Sequence, residues 1–142
     1  MTDSGVYYPA GLWEEHGQPI IIPGVWKQIN PVYDDPNITH FVGISGSTID
    51  IIANDDYYGR AGMHKYMFQA GPLVLSGNIV QDFGQSWHAR ESHERTLIGK
   101  TASGKVYFFL SRKELSLGEI GERIIRDPRF QTDPITVINL DG

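Results

Sequence analysis

The residues best suited to chemistry fall in three short stretches that lie far apart along the chain. Arg95 ends a polar insert that starts at Trp87 and is rich in histidine, arginine and glutamate. Residues 54–56 read Asn-Asp-Asp after an apolar run, and Asp141 is the penultimate residue. A guanidinium presents a planar fork of hydrogen-bond donors, and short acids and amides offer oxygen atoms. These three stretches therefore contain the side chains that we consider first for a polar site.

Each of these side chains also has a structural explanation, and the sequence leaves both interpretations open. Arg95 can form a cross-strand ion pair with Glu91 or Glu94 instead of binding a ligand. Asn54 can cap a turn, and Asp141 can belong to an ordinary Asp-Gly turn. The type of residue alone does not choose between these roles.

The histidines and the paired acids give little evidence for a metal. His88 and His93 flank Arg90 and Glu91 within the polar insert, without the spacing of a helical zinc motif, which favours solvated or hydrogen-bonded imidazoles. Asp55 and Asp56 could hold calcium or magnesium, because hard cations prefer carboxylate oxygens, but two adjacent acids also suit a solvated turn. We therefore predict no metal and no cofactor, with calcium or magnesium at the two acids as the alternative.

Composition restricts the class of protein. The chain has 142 residues, enough for one domain with a core, so a single domain over residues 1–142 is predicted. The formal net charge is −5 and the 12 basic residues do not cluster, which argues against a nucleic-acid partner. The absence of cysteine excludes disulfides, thiolate metal sites and cysteine nucleophiles. No apolar run approaches the roughly 18 to 20 residues that span a bilayer.

The location of the protein stays open at this stage. The first residues lack the basic start and apolar segment of a signal peptide. We expect a soluble protein, which would be extracellular or virion-associated if a leader has been removed. The lack of cysteine fits a bacterial or viral protein.

The elements that must position these residues are indicated by hairpin and capping signals. Residues 73–75 and 79–80 flank Ser-Gly-Asn, and 96–100 and 106–110 flank a second turn, so two successive hairpins predict an antiparallel sheet. Ser116 followed by Glu119 matches a capping box before apolar residues at helical spacing. The predicted fold class is α+β, a mixed, mostly antiparallel β-sheet with one main helix at about 116–126 packed on it.

The rest of the chain is predicted as strands, turns and an irregular arm. Residues 1–45 are expected to form that arm plus the first strands, with a short helical turn near 12–16 and a strand at 20–22. Further strands are expected at 38–44, 48–53 and 135–140. Turns or loops are expected at 45–47, 59–67, 69–72 and 131–134, with His64 and Lys65 exposed.

The order of the motifs resembles the phosphodiester glycosidase family. The matching features are Asn54 before an aromatic pair, Gln-Ala-Gly-Pro-Leu at 69–73, and Arg95-Thr96 before Ile-Gly. They continue with the Gly-Lys-Val-Tyr hairpin at 104–107 and Asn-Leu-Asp-Gly at 139–142. The resemblance covers residues 48–142, and the order and spacing of these motifs give it its weight.

The resemblance implies a hydrolase that cleaves the glycosidic bond of a sugar-1-phosphodiester, with a glycan or sugar phosphate as partner. It makes Asp141, Arg95 and Asn54 the catalytic residues, in which Arg95 holds the phosphate and Asp141 acts on the sugar carbon or on water. It makes the following residues substrate-binding: Thr96, Gly71, Asn139, Asp55 and His93.

Two departures from the family pattern motivate a second hypothesis. Family members usually continue past Leu-Asp-Gly with further glycines and a serine, whereas this sequence stops at Gly142. Asp55 and Asp56 also replace the small residues that usually follow the asparagine. The alternative is therefore a non-catalytic carbohydrate- or phosphate-binding module, or a component of a viral or cell-surface assembly. A truncated chain that is completed by another chain or by a homo-oligomer is a further expectation.

Overall fold

The computed structural model describes residues 13–16, 18–19, 37–84 and 86–141, which form two five-stranded sheets. Each pair of neighbouring strands in these sheets is antiparallel. The N-terminal sheet contains β1 (Trp13–Glu15), β2 (Gln18–Pro19), β3 (His40–Ser45), β4 (Thr48–Ala53) and β5 (Tyr66–Ala70). Their spatial order is β2-β1-β5-β3-β4.

The C-terminal sheet places the last strand at its centre. It contains β6 (Leu73–Ser76), β7 (Ile79–Val80), β8 (His93–Thr101), β9 (Val106–Leu115) and β10 (Ile135–Asp141). The spatial order β7-β6-β10-β8-β9 puts β10 between β6 and β8. The final strand is therefore hydrogen-bonded on both sides, and its end is fixed by two neighbours.

The helices are short and begin at recognisable signals. They are α1 (Tyr57–Arg60), α2 (Trp87–Arg90), α3 (Leu117–Ile125) and α4 (Pro128–Thr132), with a 3₁₀ turn at Asn54–Asp56. At the start of α3, the Ser116 hydroxyl accepts from the Glu119 amide at 3.3 Å and the Glu119 carboxylate accepts from the Ser116 amide at 2.8 Å. This reciprocal capping box satisfies donors that the first turn leaves open.

The apolar side chains form three layers because strand residues alternate between the two faces of a sheet. The layer between the sheets contains Val42, Ile49, Ala70, Ile98 and Ile138. The layer beneath α3 and α4 includes Val74, Leu97, Leu117, Ile120, Phe130 and Val137. A smaller cluster on the outer face of the N-terminal sheet contains Phe41, Ile52, Tyr57 and Met67. Odd-numbered residues of β8, such as Leu97, thus face α3, and even-numbered ones, such as Ile98, face the other sheet.

The first described residues are attached to the domain by a buried acid. Glu14 is fully buried, its carboxylate accepts from the Tyr57 hydroxyl at 2.8 Å, and it also accepts from the Gly62 amide at 2.9 Å. Burial and the Glu14 carboxylate raise the pKa of Tyr57. The helical turn expected at 12–16 is wrong, since β1 pairs with β5 and β2 in this region.

The predicted fold class is confirmed, and the structure corrects its details. The sheet is divided into two, and every observed pair is antiparallel, so there is no mixed pairing among the described residues. Residues 66–70 form β5 rather than loop and turn, because Gln69 and Ala70 pair with β3. His64, expected to be exposed, is buried against Gly43, while Lys65 is exposed as predicted. The polar insert and residues 128–132 form α2 and α4, which the sequence interpretation missed.

The predicted strand at 20–22 lies outside the described residues. Within the part of the chain that is described, no helix has the length and apolar character needed to cross a membrane.

Candidate functional site

The layer between the sheets has two ends that differ in chemistry. At one end β4 gives way to the turn at 54–56, β5 passes through Gly71 into β6, and β10 reaches Asp141; we call this the Asn54 end. At the other end Lys100 of β8 lies beside Asp50 of β4, and we call this the Lys100 end. The strand directions therefore bring the ends of β4, β5 and β10 together, although they are far apart in sequence.

Asn54 connects the turn after β4 to the segment before β3. Its side-chain amide donates to the Ile38 carbonyl at 2.7 Å, and its side-chain oxygen accepts from Gln69 at 3.3 Å. Its backbone amide donates to the Thr39 carbonyl at 3.1 Å. Asp55, the next residue, is exposed. Asn54 thus holds the turn in place and presents the following acid to solvent at the Asn54 end.

Three hydrogen bonds join Asn139 to the Gly71-Pro72 segment. The Gly71 amide donates to the Asn139 carbonyl at 3.0 Å, the Asn139 amide donates to the Pro72 carbonyl at 3.2 Å, and the Asn139 side chain donates to the Gly71 carbonyl at 3.1 Å. Asn139 is 2% exposed, and its side-chain oxygen meets no donor among the described residues. This buried acceptor places an unsatisfied polar atom, among the described residues, near the end of β10.

Thr96 and Asp141 are opposite each other in the ladder between β8 and β10. The register shifts between Asn139 and Asp141, so the strand carries an irregularity just before the acid. Such bulges change the direction of neighbouring side chains and are frequent next to active sites. The structure therefore places six of the predicted site residues at the Asn54 end. They are Asn54, Asp55, Gly71, Thr96, Asn139 and Asp141.

Arg95 lies beside this group but its side chain takes another direction. It is 2% exposed and shares the α3 face of β8 with Leu97. Its guanidinium donates to the carbonyls of Leu115 at 3.3 Å, His88 at 2.8 Å and Glu91 at 2.5 Å. Burial lowers the pKa of Arg95, and the Glu91 charge opposes that change. These contacts connect the polar insert to the end of β9, and the phosphate role stays a prediction.

His93 belongs to the same group of polar side chains as Arg95 and His88. His88, Glu91 and His93 place one possible metal ligand each within 4.8 Å of one another, and the two rings stack at 5.7 Å. Arg95 also contacts His88 Nε2 at 3.2 Å. Because a guanidinium can only donate, this contact uses the lone pair that a metal would need, and a cation would meet the Arg95 charge. The cluster is therefore better explained as hydrogen bonding around Arg95 than as a metal centre.

Three polar residues of the Asn54 end were missed as site residues by the sequence analysis. His40 and Thr39 lie at the start of β3, where His40 Nδ1 is 2.8 Å from the Thr39 hydroxyl. Gln69 was assigned to a turn, yet it is buried and bonds Asn54. Gln69 belongs to the Gln-Ala-Gly-Pro-Leu motif, whereas Thr39 and His40 belong to none. Only the pairing of β3 with β4 and β5 brings the three residues to the site.

Comparison with protein families gives one match. The model of the phosphodiester glycosidase family matches residues 14–142, which include every described residue of the Asn54 end. This result confirms the resemblance read from the ordered motifs. A search of curated proteins gives no match to this chain.

Proposed function

Because the chain belongs to the phosphodiester glycosidase family, we propose that it hydrolyses the glycosidic bond of a sugar-1-phosphodiester. The family match carries this proposal. The meeting of Asn54, Gly71, Asn139 and the Thr96–Asp141 pair at one end of the two sheets supports it. Oxygen and amide groups on neighbouring strand ends suit a hydroxylated, charged substrate.

The proposed reaction breaks the bond between the anomeric carbon and the phosphate oxygen. The electron pair of that bond leaves with the phosphate monoester, and the oxygen of water joins the sugar carbon. A phosphate monoester is already a good leaving group, so the need for a carboxylic acid to protonate it is smaller than in an ordinary glycosidase. One carboxylate acting at the sugar carbon then suffices, and we assign this role to Asp141.

The remaining residues are proposed to bind the substrate. Thr96, opposite Asp141 in the ladder, can donate its hydroxyl to the phosphate, and Asn54, Asp55, Gly71 and Asn139 surround the sugar. Arg95 can bind phosphate only if its guanidinium exchanges backbone carbonyls for phosphate oxygens. His93, beside it, could bind the same phosphate. The loss of those carbonyl contacts would loosen the insert, so the two roles of Arg95 have different consequences for stability.

The test uses the methyl diester of a hexose 1-phosphate in water enriched in ¹⁸O. We expect free sugar and methyl phosphate, with the heavy oxygen in the sugar, because the carbon–oxygen bond is the one that breaks. Heavy oxygen in the phosphate would show cleavage at phosphorus and would overturn the proposal. Saturable binding of the diester without products would instead support the carbohydrate- or phosphate-binding module.

A further inference from the structure

His40 is a titratable side chain that faces the layer between the sheets at the Asn54 end. It pairs with Ala53 of β4 and Ala70 of β5, at the positions where both strands end. Val42, two residues further along β3, belongs to the layer between the sheets, and so does Ala70. Because side chains two apart on a strand share a face, His40 points into the same layer, beside the end of β10. It is only partly buried, so solvent or a substrate can reach it.

The ring of His40 is held at one nitrogen. Nδ1 lies 2.8 Å from the Thr39 hydroxyl, which also accepts from the Leu73 amide at 3.2 Å. The Leu73 amide belongs to the C-terminal sheet, so both sheets fix the position of the hydroxyl. No described residue bonds Nε2. When Nδ1 carries the proton and donates it to Thr39, the Nε2 lone pair is free to take another.

The surroundings of His40 favour a neutral ring that still titrates. Burial lowers the pKa of His40, and the Asp56 carboxylate, the charged group acting on it among the described residues, opposes this. Its cross-strand neighbours Ala53 and Ala70 carry no charge. A histidine that is uncharged near neutral pH acts as a base rather than as an acid.

We propose that His40 is the proton-accepting residue of the site, with Nε2 taking a proton from the water that attacks the sugar carbon. In this step one O–H bond of water breaks, and its oxygen bonds the anomeric carbon. The bond that breaks at the anomeric carbon is the one to the phosphate oxygen. If the Asp141 carboxylate has first displaced the phosphate, it is instead the bond to Asp141. The proton then passes from Nε2 to solvent. This inference rests on the hydrolase proposed above.

The main test compares His40→Asn with the wild type on the same methyl diester. We expect kcat to fall by about 10²–10⁴-fold, the usual contribution of a general base, with little change in Tm. The wild type should lose activity as the pH falls through the pKa of His40, and this acidic limb should be absent from the variant. His16→Asn is the matched control, because His16 is exposed and has a backbone φ of 50° that asparagine tolerates.

Two further measurements separate proton transfer from a structural role. Added imidazole should restore part of the activity of His40→Ala, which a purely structural defect would not allow. Asp56→Asn should move the acidic limb and the NMR titration of His40 to lower pH, because it removes the charge that raises the pKa. An unchanged acidic limb in His40→Asn would overturn the role of His40 and leave the hydrolase standing. A wild type without turnover would overturn both.

Discussion

The two ends of the layer between the sheets treat polar groups in opposite ways. At the Lys100 end, the Asp50 carboxylate accepts from Lys100 and from His64, each at 2.8 Å, so the charges satisfy one another. At the Asn54 end, neutral amides and a hydroxyl hold the backbone, and Asp55 and Asp56 take part in no described ion pair. The comparison teaches that charges are paired with one another at one end, whereas the acids Asp55 and Asp56 at the other end stay outside every described ion pair.

Open depressions on the surface do not coincide with the proposed site, and the larger of two, about 440 Å³, lies between β9 and α3. An open depression of about 300 Å³ lies at the Lys100 end, lined by Asp50, Lys100, Thr101 and Thr136 among others. Its two charged groups already bond each other, and none of the proposed site residues lines it. The proposed site at the Asn54 end therefore depends on motif residues and polar chemistry, and not on the size of a depression.

The largest effect is expected from the acid at the Asn54 end. Asp141→Asn should lower kcat/KM for a sugar-1-phosphodiester by about 10²–10⁴-fold, since the amide keeps the shape but loses the charge. Asp50→Asn, the matched change at the Lys100 end, should leave kcat/KM unchanged. Steady-state kinetics of the two variants measure the difference directly. Equal losses in both would remove the functional distinction between the two ends.

Substitutions of Arg95 test whether its side chain, which lies beside the Asn54 end, has a structural role. Arg95→Ala should cost about 3 kcal/mol, because three backbone carbonyls lose a buried donor, and should lower Tm by roughly 10 °C. Arg95→Lys keeps the charge but loses the fork.

Inhibition by inorganic phosphate separates the two roles in that lysine variant. A large fall in Tm with unchanged phosphate inhibition would assign Arg95 to structure. Loss of phosphate inhibition with a nearly unchanged Tm would support the predicted phosphate role.

The backbone of residues 37–39 lies so close to Gly71 that a side chain at this position should not be tolerated. Gly71 has a φ of +152°, and a Cβ there would lie 2.7 Å from the Asn37 carbonyl oxygen and from the Thr39 nitrogen. Gly71→Ala should therefore destabilise the protein by about 1–3 kcal/mol, measured by urea unfolding. Gly59→Ala is the control, since nothing lies within 4 Å of a Cβ at that position. A Gly71 variant as stable as the control would show that the segment before β3 moves freely.

The smallest effect concerns the pH dependence of the Lys100 end. Hydrogen bonds from Lys100 and then His64 lower the pKa of Asp50, so its contribution to stability is present above the ordinary aspartate pKa. It is lost as the pH falls through the lowered value. Because the Asp50 side chain is 45% exposed, this contribution stays below about 1 kcal/mol.

The measurement is the difference in Tm between the wild type and Asp50→Asn as a function of pH. This difference should be largest near neutral pH and should close in acid. Asp82→Asn, at an exposed carboxylate outside every described ion pair, should show no such convergence. A difference that is constant with pH would contradict the assigned cause.

Local signals predicted local structure well. The Ser116 and Glu119 capping box, the hairpin through Gly77 and Asn78, and the strand at 48–53 each depend on residues a few positions apart. The buried position of His64 depends instead on Gly43 of β3. Because Gly43 has no side chain, the His64 ring can pack against it. Sequence alone could not show that contact, because exposure is decided by what packs on a residue from elsewhere in the chain.

The sequence by itself determined the family, the α+β class and the set of motifs, since these depend on residue types and their order along the chain. Only the tertiary structure decided that the sheet is divided in two, and that β10 lies between β6 and β8 with Asp141 opposite Thr96. It also decided that Arg95 faces α3 while His40 faces the layer between the sheets. The physical reason is that the face and the neighbours of a strand residue follow from long-range pairing, and no local pattern records that pairing.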